Sequence, residues 1–208
     1  MKNQAFILLA LLIGNTCAAQ PKKVGGPCEG CEAIYESPVP FEKLESVIKL
    51  PDATWNGKKP LGINGTVFKA DGKTPAPGVV LYFYHTDETG HYPTKGNETG
   101  WAKRHGYLRG WAKTGEKGEY KFVTLRPAPY PGSTQPAHIH VIVKEPGINE
   151  YYIDEFLFSD DPLLTAEKLQ HLPNRGGSGI TKLFDVGNMF KGARNIYLGK
   201  NIPGYPLQ

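Results

Sequence analysis

The feature that most restricts this chain is a succession of short segments in which apolar and polar residues alternate, each closed by glycine or proline. Residues 62–69, 107–113, 119–125, 137–144 and 152–158 are the candidates, and 78–84 adds a continuous β-branched and aromatic run. Alternation at period two places one set of side chains on each face of a strand, and no helix of comparable length is amphipathic at that period. Ala70-Asp71-Gly72-Lys73 and Glu116-Lys117-Gly118 supply the turns between them. Six or more such strands predict an all-β chain built as a single β-sandwich domain. The 25 glycines and 18 prolines follow no repeating period, which agrees with a turn-rich sandwich. At 208 residues the chain has enough length for one hydrophobic core and not comfortably for two.

The flanks of this strand region read differently. Lys2, the apolar run from Ala5 to Gly14 and the small residues Cys17, Ala18 and Ala19 form a secretory signal pattern, with cleavage expected after Ala19. The run is too short to span a membrane, so no transmembrane anchor is expected. Lipid attachment at Cys17 is disfavoured by Gly14-Asn15-Thr16 before it. Residues 1–19 are thus assigned as a signal peptide, 20–60 as an extended N-terminal arm with a short helix over 41–49, and 61–208 as the β-domain. The C-terminal part is expected to be irregular and helical: Pro162 and the leucines at 163, 164, 169 and 172 predict a helix over 161–171, and the glycine-rich stretch 174–179 a flexible loop. An exported, periplasmic or secreted, chain meets an oxidising compartment. There Cys28-Glu29-Gly30-Cys31 is expected to close a local disulfide, because one Cys-x-x-Cys supplies only half of a structural zinc site. A formal net charge of +4 with scattered lysines leaves no basic stripe and argues against nucleic-acid binding.

The chemistry lies in the segment 137–144. His138 and His140, two apart on a strand, share a face and can converge on one metal ion. Tyr130 stands eight residues earlier among prolines, in Arg126-Pro127-Ala128-Pro129-Tyr130-Pro131, and Tyr92 follows a strand in Gly90-His91-Tyr92-Pro93. Two phenolates and two imidazoles form a hard, anionic donor set that suits Fe(III) better than Zn or Cu(I). Two rival readings remain. One is a copper or zinc protein completing its site with His85, His91, His105 or His171. The other is a non-catalytic binding module, since Gly65-Thr66-Val67 and Pro77-Gly78-Val79-Val80-Leu81 are similar to the start of transthyretin-like and carboxypeptidase-regulatory-like domains.

The stretch from about Leu61 to Leu164 resembles the intradiol ring-cleavage dioxygenases, the catechol and protocatechuate 3,4-dioxygenase group. The matching pieces are Gly65-Thr66-Val67, Gly90-His91-Tyr92, Leu108-Arg109-Gly110, Gly118-Glu119-Tyr120-Lys121-Phe122-Val123-Thr124, the proline-flanked Tyr130 and Pro136-Ala137-His138-Ile139-His140, in the family's order. The resemblance implies one Fe(III) per chain, with Tyr92 and His138 equatorial and Tyr130 and His140 axial. It implies a small aromatic diol and O2 as substrates. The diol binds as a chelating dianion that displaces Tyr130, and the ring opens between its two hydroxylated carbons to a muconate-type diacid.

Tyr130 and Gln135 are the candidate catalytic residues. Gln135 stands where the family has an arginine, so a charge-assisted hydrogen bond is lost there. Glu155 falls where the family has a glutamine, and a carboxylate beside a catecholate repels it unless paired or protonated. Arg109 or Arg126 is the expected substitute for the missing charge. Oligomeric state and the identity of the ring are left open.

Overall fold

The computed structural model describes residues 23–51 and 57–206. The expected signal segment, residues 1–19, lies outside them. Twelve strands among the described residues form two sheets. The first runs β1 (Val47–Lys49), β5 (Glu119–Thr124), β2 (Leu61–Phe68), β11 (Met189–Ala193) and β10 (Phe184–Val186), with β12 (Ile196–Tyr197) also on β2. The second runs β4 (Arg109–Lys113), β3 (Val80–His85), β6 (His138–Lys144), β8 (Phe156–Phe158) and β9 (Ile180–Thr181), with β7 (Tyr151–Tyr152) on β6. Helices are short: α1 (Ala102–His105), α2 (Ala166–Gln170) and 3-10 turns at Cys31–Glu36 and Phe41–Lys43.

The alternating pattern does what it predicts. Leu61, Ile63 and Val67 of β2 and Tyr120 and Phe122 of β5 point into the same core as Leu81 and Phe83 of β3 and Ile139, Val141 and Val143 of β6. Phe122 lies 4.3 Å from Phe83 and 5.6 Å from Phe156, ring centre to ring centre, so one aromatic cluster joins both sheets. The opposite face of the second sheet is also covered. Cys31, Ala33 and Ile34 from the N-terminal segment bury themselves against Val80, Tyr82, Trp111 and Ile142, and the Trp111 indole donates to the Ile34 carbonyl at 2.8 Å.

Five expectations need correction. Packing begins at Val24, which joins the main core well before Leu61. The helix expected over 41–49 is a 3-10 turn followed by β1, which pairs in parallel with β5, Val47 opposite Lys121. The strand expected over 152–158 is broken because Asp154 turns inward to Arg175 at 3.0 Å and splits it into β7 and β8. The C-terminal region is not irregular: it supplies β9 to β12, with β11 lying parallel to β2, and the stretch 174–179 is pinned by backbone bonds from Gly176 to Lys200 and from Leu157 to Gly179. The helix over 161–171 shrinks to α2 because the Asp161 carboxylate accepts from Leu163 and Ala137 instead, closing its own turn and fixing the start of β6.

Candidate metal centre and its surroundings

His138 and His140 project from β6 on the face turned away from the shared core, with Ile139 and Val141 facing in. Tyr92 and Tyr130 reach them from two loops that are laced together. The Thr86 hydroxyl donates to the Ala128 carbonyl at 2.8 Å, and the Ala128 N–H donates to the Asp87 carbonyl at 2.9 Å. Gly90, at φ 82°, presses so close to Pro129 that a Cβ there would lie 2.0 Å from its carbonyl oxygen. This contact sets Tyr92 beside Tyr130.

The four side chains meet through their tips. Tyr92 Oη lies 2.6 Å from Tyr130 Oη and 3.0 Å from His140 Nε2. Tyr130 Oη is 3.2 Å from His138 Nε2 and 3.3 Å from His140 Nε2, and the two Nε2 atoms are 3.1 Å apart. His138 Nδ1 donates to the Pro136 carbonyl at 2.7 Å, which leaves its Nε2 as a bare lone pair. Five close contacts therefore share at most three protons: two phenolic ones and one on His140. Lone pairs turned on each other in this way are stabilised by a cation between them. Separations near 3 Å are those of donors held about 2 Å from a common ion. The donor set of two oxygens and two nitrogens fits the implied Fe(III).

Burial, with each phenol's neighbour, decides the resting charge. It raises both tyrosines, Tyr92 the more because the Tyr130 hydroxyl beside it opposes ionisation further, and it holds His140 well below the usual imidazole range. These shifts favour the neutral forms of Tyr92, Tyr130 and His140, a preference that a cation at the site would offset. Tyr84 stacks on His140 at 4.4 Å and on His105 at 3.8 Å, and His105 Nδ1 is 2.9 Å from Tyr82 Oη. Among the described residues, no three His, Cys, Asp or Glu side chains gather as a metal-binding group. The histidines of the copper or zinc reading are engaged elsewhere: His85 with Thr86 and Thr124, His105 with Tyr82, His91 with Thr89, His171 with Glu167.

Other expected residues are placed as follows. Gln135 is exposed in a turn where its N–H donates to Ser133 Oγ. Glu155 Oε1 lies 3.7 Å from His140 Nδ1, behind the imidazole. Arg126 makes a two-pronged pair with Asp160, and Arg109 pairs with Glu36 at 2.7 Å. The arginine on the tetrad's cavity is Arg104, which sequence reasoning missed. That cavity, about 250 Å³, is bounded by Tyr84, Tyr92, Tyr130, His140, Trp101 and Arg104, with Glu29 and His105 at its rim. Nothing in the sequence links residue 104 to 140: the link arises from the pairing of β3 with β6, Tyr84 opposite His140, and from α1 folding back over Tyr84. Cys28 and Cys31 form a disulfide.

The fold and the tetrad define the class: a protein of two β-sheets carrying a tyrosine–histidine donor set on one strand and two loops. The family profile described as Dioxygenase matches residues 42–175. Catechol 1,2-dioxygenase 1 of Acinetobacter lwoffii is 36% identical, over 50% of this chain and 38% of that protein. The 6-chlorohydroxyquinol 1,2-dioxygenase of Cupriavidus pinatubonensis is 29% identical, over 70% of this chain and 57% of that protein. The chain thus spans roughly two-fifths to three-fifths of these relatives. Among solved structures, the dioxygenase domain of a dioxygenase–carbohydrate-binding fusion from Streptomyces sp. SirexAA-E matches with a TM-score of 0.56 and 27% identity, over 77% of this chain and 94% of that one. The 3-chlorocatechol 1,2-dioxygenase of Rhodococcus opacus shares the fold, with a TM-score of 0.58 and 20% identity over 74% of this chain and 65% of that one. The chain belongs to the intradiol ring-cleaving dioxygenase family.

Proposed function

We propose that this protein is a non-haem Fe(III) dioxygenase that cleaves a catechol-type ring between its two hydroxylated carbons, using O2 and giving a muconate-type product. The observation that carries the reading is the convergence of Tyr92, Tyr130, His138 and His140 through five contacts of 3.3 Å or less. When bound, the ferric ion supplies Lewis-acid activation of the diol. The chain does the rest. The Pro136 carbonyl orients His138, and Tyr84 holds the plane of His140. Tyr130, on its proline-flanked loop, accepts a substrate proton at Oη when the diol takes its place. The 250 Å³ cavity bounded by Tyr84, Tyr92, Tyr130, His140, Trp101 and Arg104 has room for a single ring. A transthyretin-like module has no use for four donors so arranged.

The two sheets around their common core are read as the leaves of a β-sandwich, with Cys31, Ala33 and Ile34 of the N-terminal arm covering the outer face of the second sheet. Export is part of the proposal. The signal pattern at the N-terminus and the Cys28–Cys31 disulfide support it.

The visible spectrum of the iron-loaded protein, recorded before and after anaerobic addition of catechol, tests the reading. A tyrosinate-to-iron band that moves to longer wavelength, followed by ring-opened product on admitting air, is expected. A colourless iron-loaded protein overturns the proposal.

A further inference from the structure

We infer that Arg104 is the anchor for an anionic substituent on the ring, and that Glu29 of the disulfide-closed turn is the resting partner this substituent displaces. The inference rests on the ring-cleaving reading and assigns its substrate class: catechols that carry a carboxylate.

The turn Cys28–Cys31 is seated directly over α1. Gly30, at φ 83°, lies so near His105 and Trp101 that a Cβ there would come within 3.0 and 3.1 Å of them. With the disulfide closing the turn on one side and this contact on the other, Glu29 is held at the edge of the cavity that Tyr92, Tyr130 and His140 share. Its carboxylate pairs with the Arg104 guanidinium. Arg104 is the one lysine or arginine lining that cavity. Arg109 and Arg126, the sequence's candidates for a positive group, are held by Glu36 and Asp160 away from it.

The pair is asymmetric. Arg104 also lies over the Trp101 ring at 5.6 Å, so it keeps its place when its partner leaves. Among the described residues Glu29 has no second contact of this kind, and it is mostly exposed, so it swings into water at little cost. An exposed ion pair of this type is weak and readily exchanged. A ring-borne carboxylate matches the guanidinium fork better than any neutral substituent, and an ammonium substituent meets repulsion from Arg104.

The test is anaerobic calorimetric titration of the iron-loaded protein with catechol and with 3,4-dihydroxybenzoate, read as the ratio of their Kd values. Arg104→Gln is expected to shift that ratio about tenfold against 3,4-dihydroxybenzoate, the effect of one screened charge-assisted contact. Arg104→Lys is expected to recover part of it. Glu29→Gln is expected to shift the ratio a few-fold the other way, because Arg104 is then unpaired. An unchanged ratio in Arg104→Gln, or weaker binding of 3,4-dihydroxybenzoate in Glu29→Gln, overturns the inference while leaving the ring-cleaving reading intact. Failure of the unaltered protein to bind either probe overturns both.

Discussion

Tyr92 Oη stands 2.6 Å from Tyr130 Oη although 38 residues separate them, and both atoms lie within 3.3 Å of His140 Nε2. Each phenol is half-buried on a separate loop and, among the described residues, has no carboxylate within hydrogen-bond distance to share its proton. Their approach makes sense as half of a donor set, so removing either oxygen should empty the site without unfolding the sheets. Tyr92→Phe and Tyr130→Phe are each expected to lower iron affinity by at least about 100-fold, more than the loss of a supporting outer contact costs. Iron per chain after dialysis against a competing chelator measures this. Retention equal to the unaltered protein would show that the phenols are not ligands.

Gly90 controls how the two loops meet. A methyl group there would overlap the Pro129 carbonyl at 2.0 Å, and the φ of 82° is one that alanine adopts only under strain. Gly90→Ala is expected to destabilise the fold by about 1–3 kcal/mol and to displace Tyr92 from Tyr130. Urea unfolding reads the first effect and the tyrosinate-to-iron band the second. A variant with full colour would mean that the loop contact does not position the ligand.

His85 carries a pH dependence that belongs to the core. It is fully buried between the Thr86 carbonyl and Thr124 Oγ1, and burial pushes its pKa down to about 4. Unfolded, it titrates near 6.5. Between those values the unfolded chain takes a proton that the folded chain refuses. The contribution is therefore fully present above about pH 6.5 and is lost as pH falls towards 4, by roughly 2 kcal/mol between pH 7 and pH 5. Unfolding free energies of the unaltered protein and of His85→Gln at the two pH values test this. The variant is expected to show the shallower dependence, and equal slopes would assign the acid sensitivity to other groups.

The N-terminal segment stabilises the outer face of the second sheet. Ile34 is wholly buried against that face, and its carbonyl receives the Trp111 indole N–H at 2.8 Å. Ile34→Ala is expected to cost about 2–4 kcal/mol, the range for a buried aliphatic truncation. A red shift in tryptophan fluorescence at denaturant levels below the main transition would show the segment lifting first. A variant as stable as the parent would mean that the segment is only loosely applied.

Much of this protein is written locally in its chain. Period-two alternation marked β5 and β6, since a pleated strand shows its two faces directly as odd and even residues, and a β-branched and aromatic run marked β3. The same rule put His138 and His140 on one face, and proline-bounded Tyr130 and Gly90-His91-Tyr92 stood out beside them. The sequence could not show where β3 lies relative to β6, because register depends on contacts between distant segments and not on any one of them. Register is what brings Tyr84 against His140, and through Tyr84 the helix bearing Arg104 and the turn bearing Glu29. For the same reason β9 to β12 went unseen: strands of two to five residues have too little alternation to register, and they form by pairing, β9 on β8, β11 and β12 on β2, and β10 on β11. Donor chemistry was determined by residue type, which the chain carries with it, whereas the charge that lines the cavity beside those donors was decided by tertiary packing.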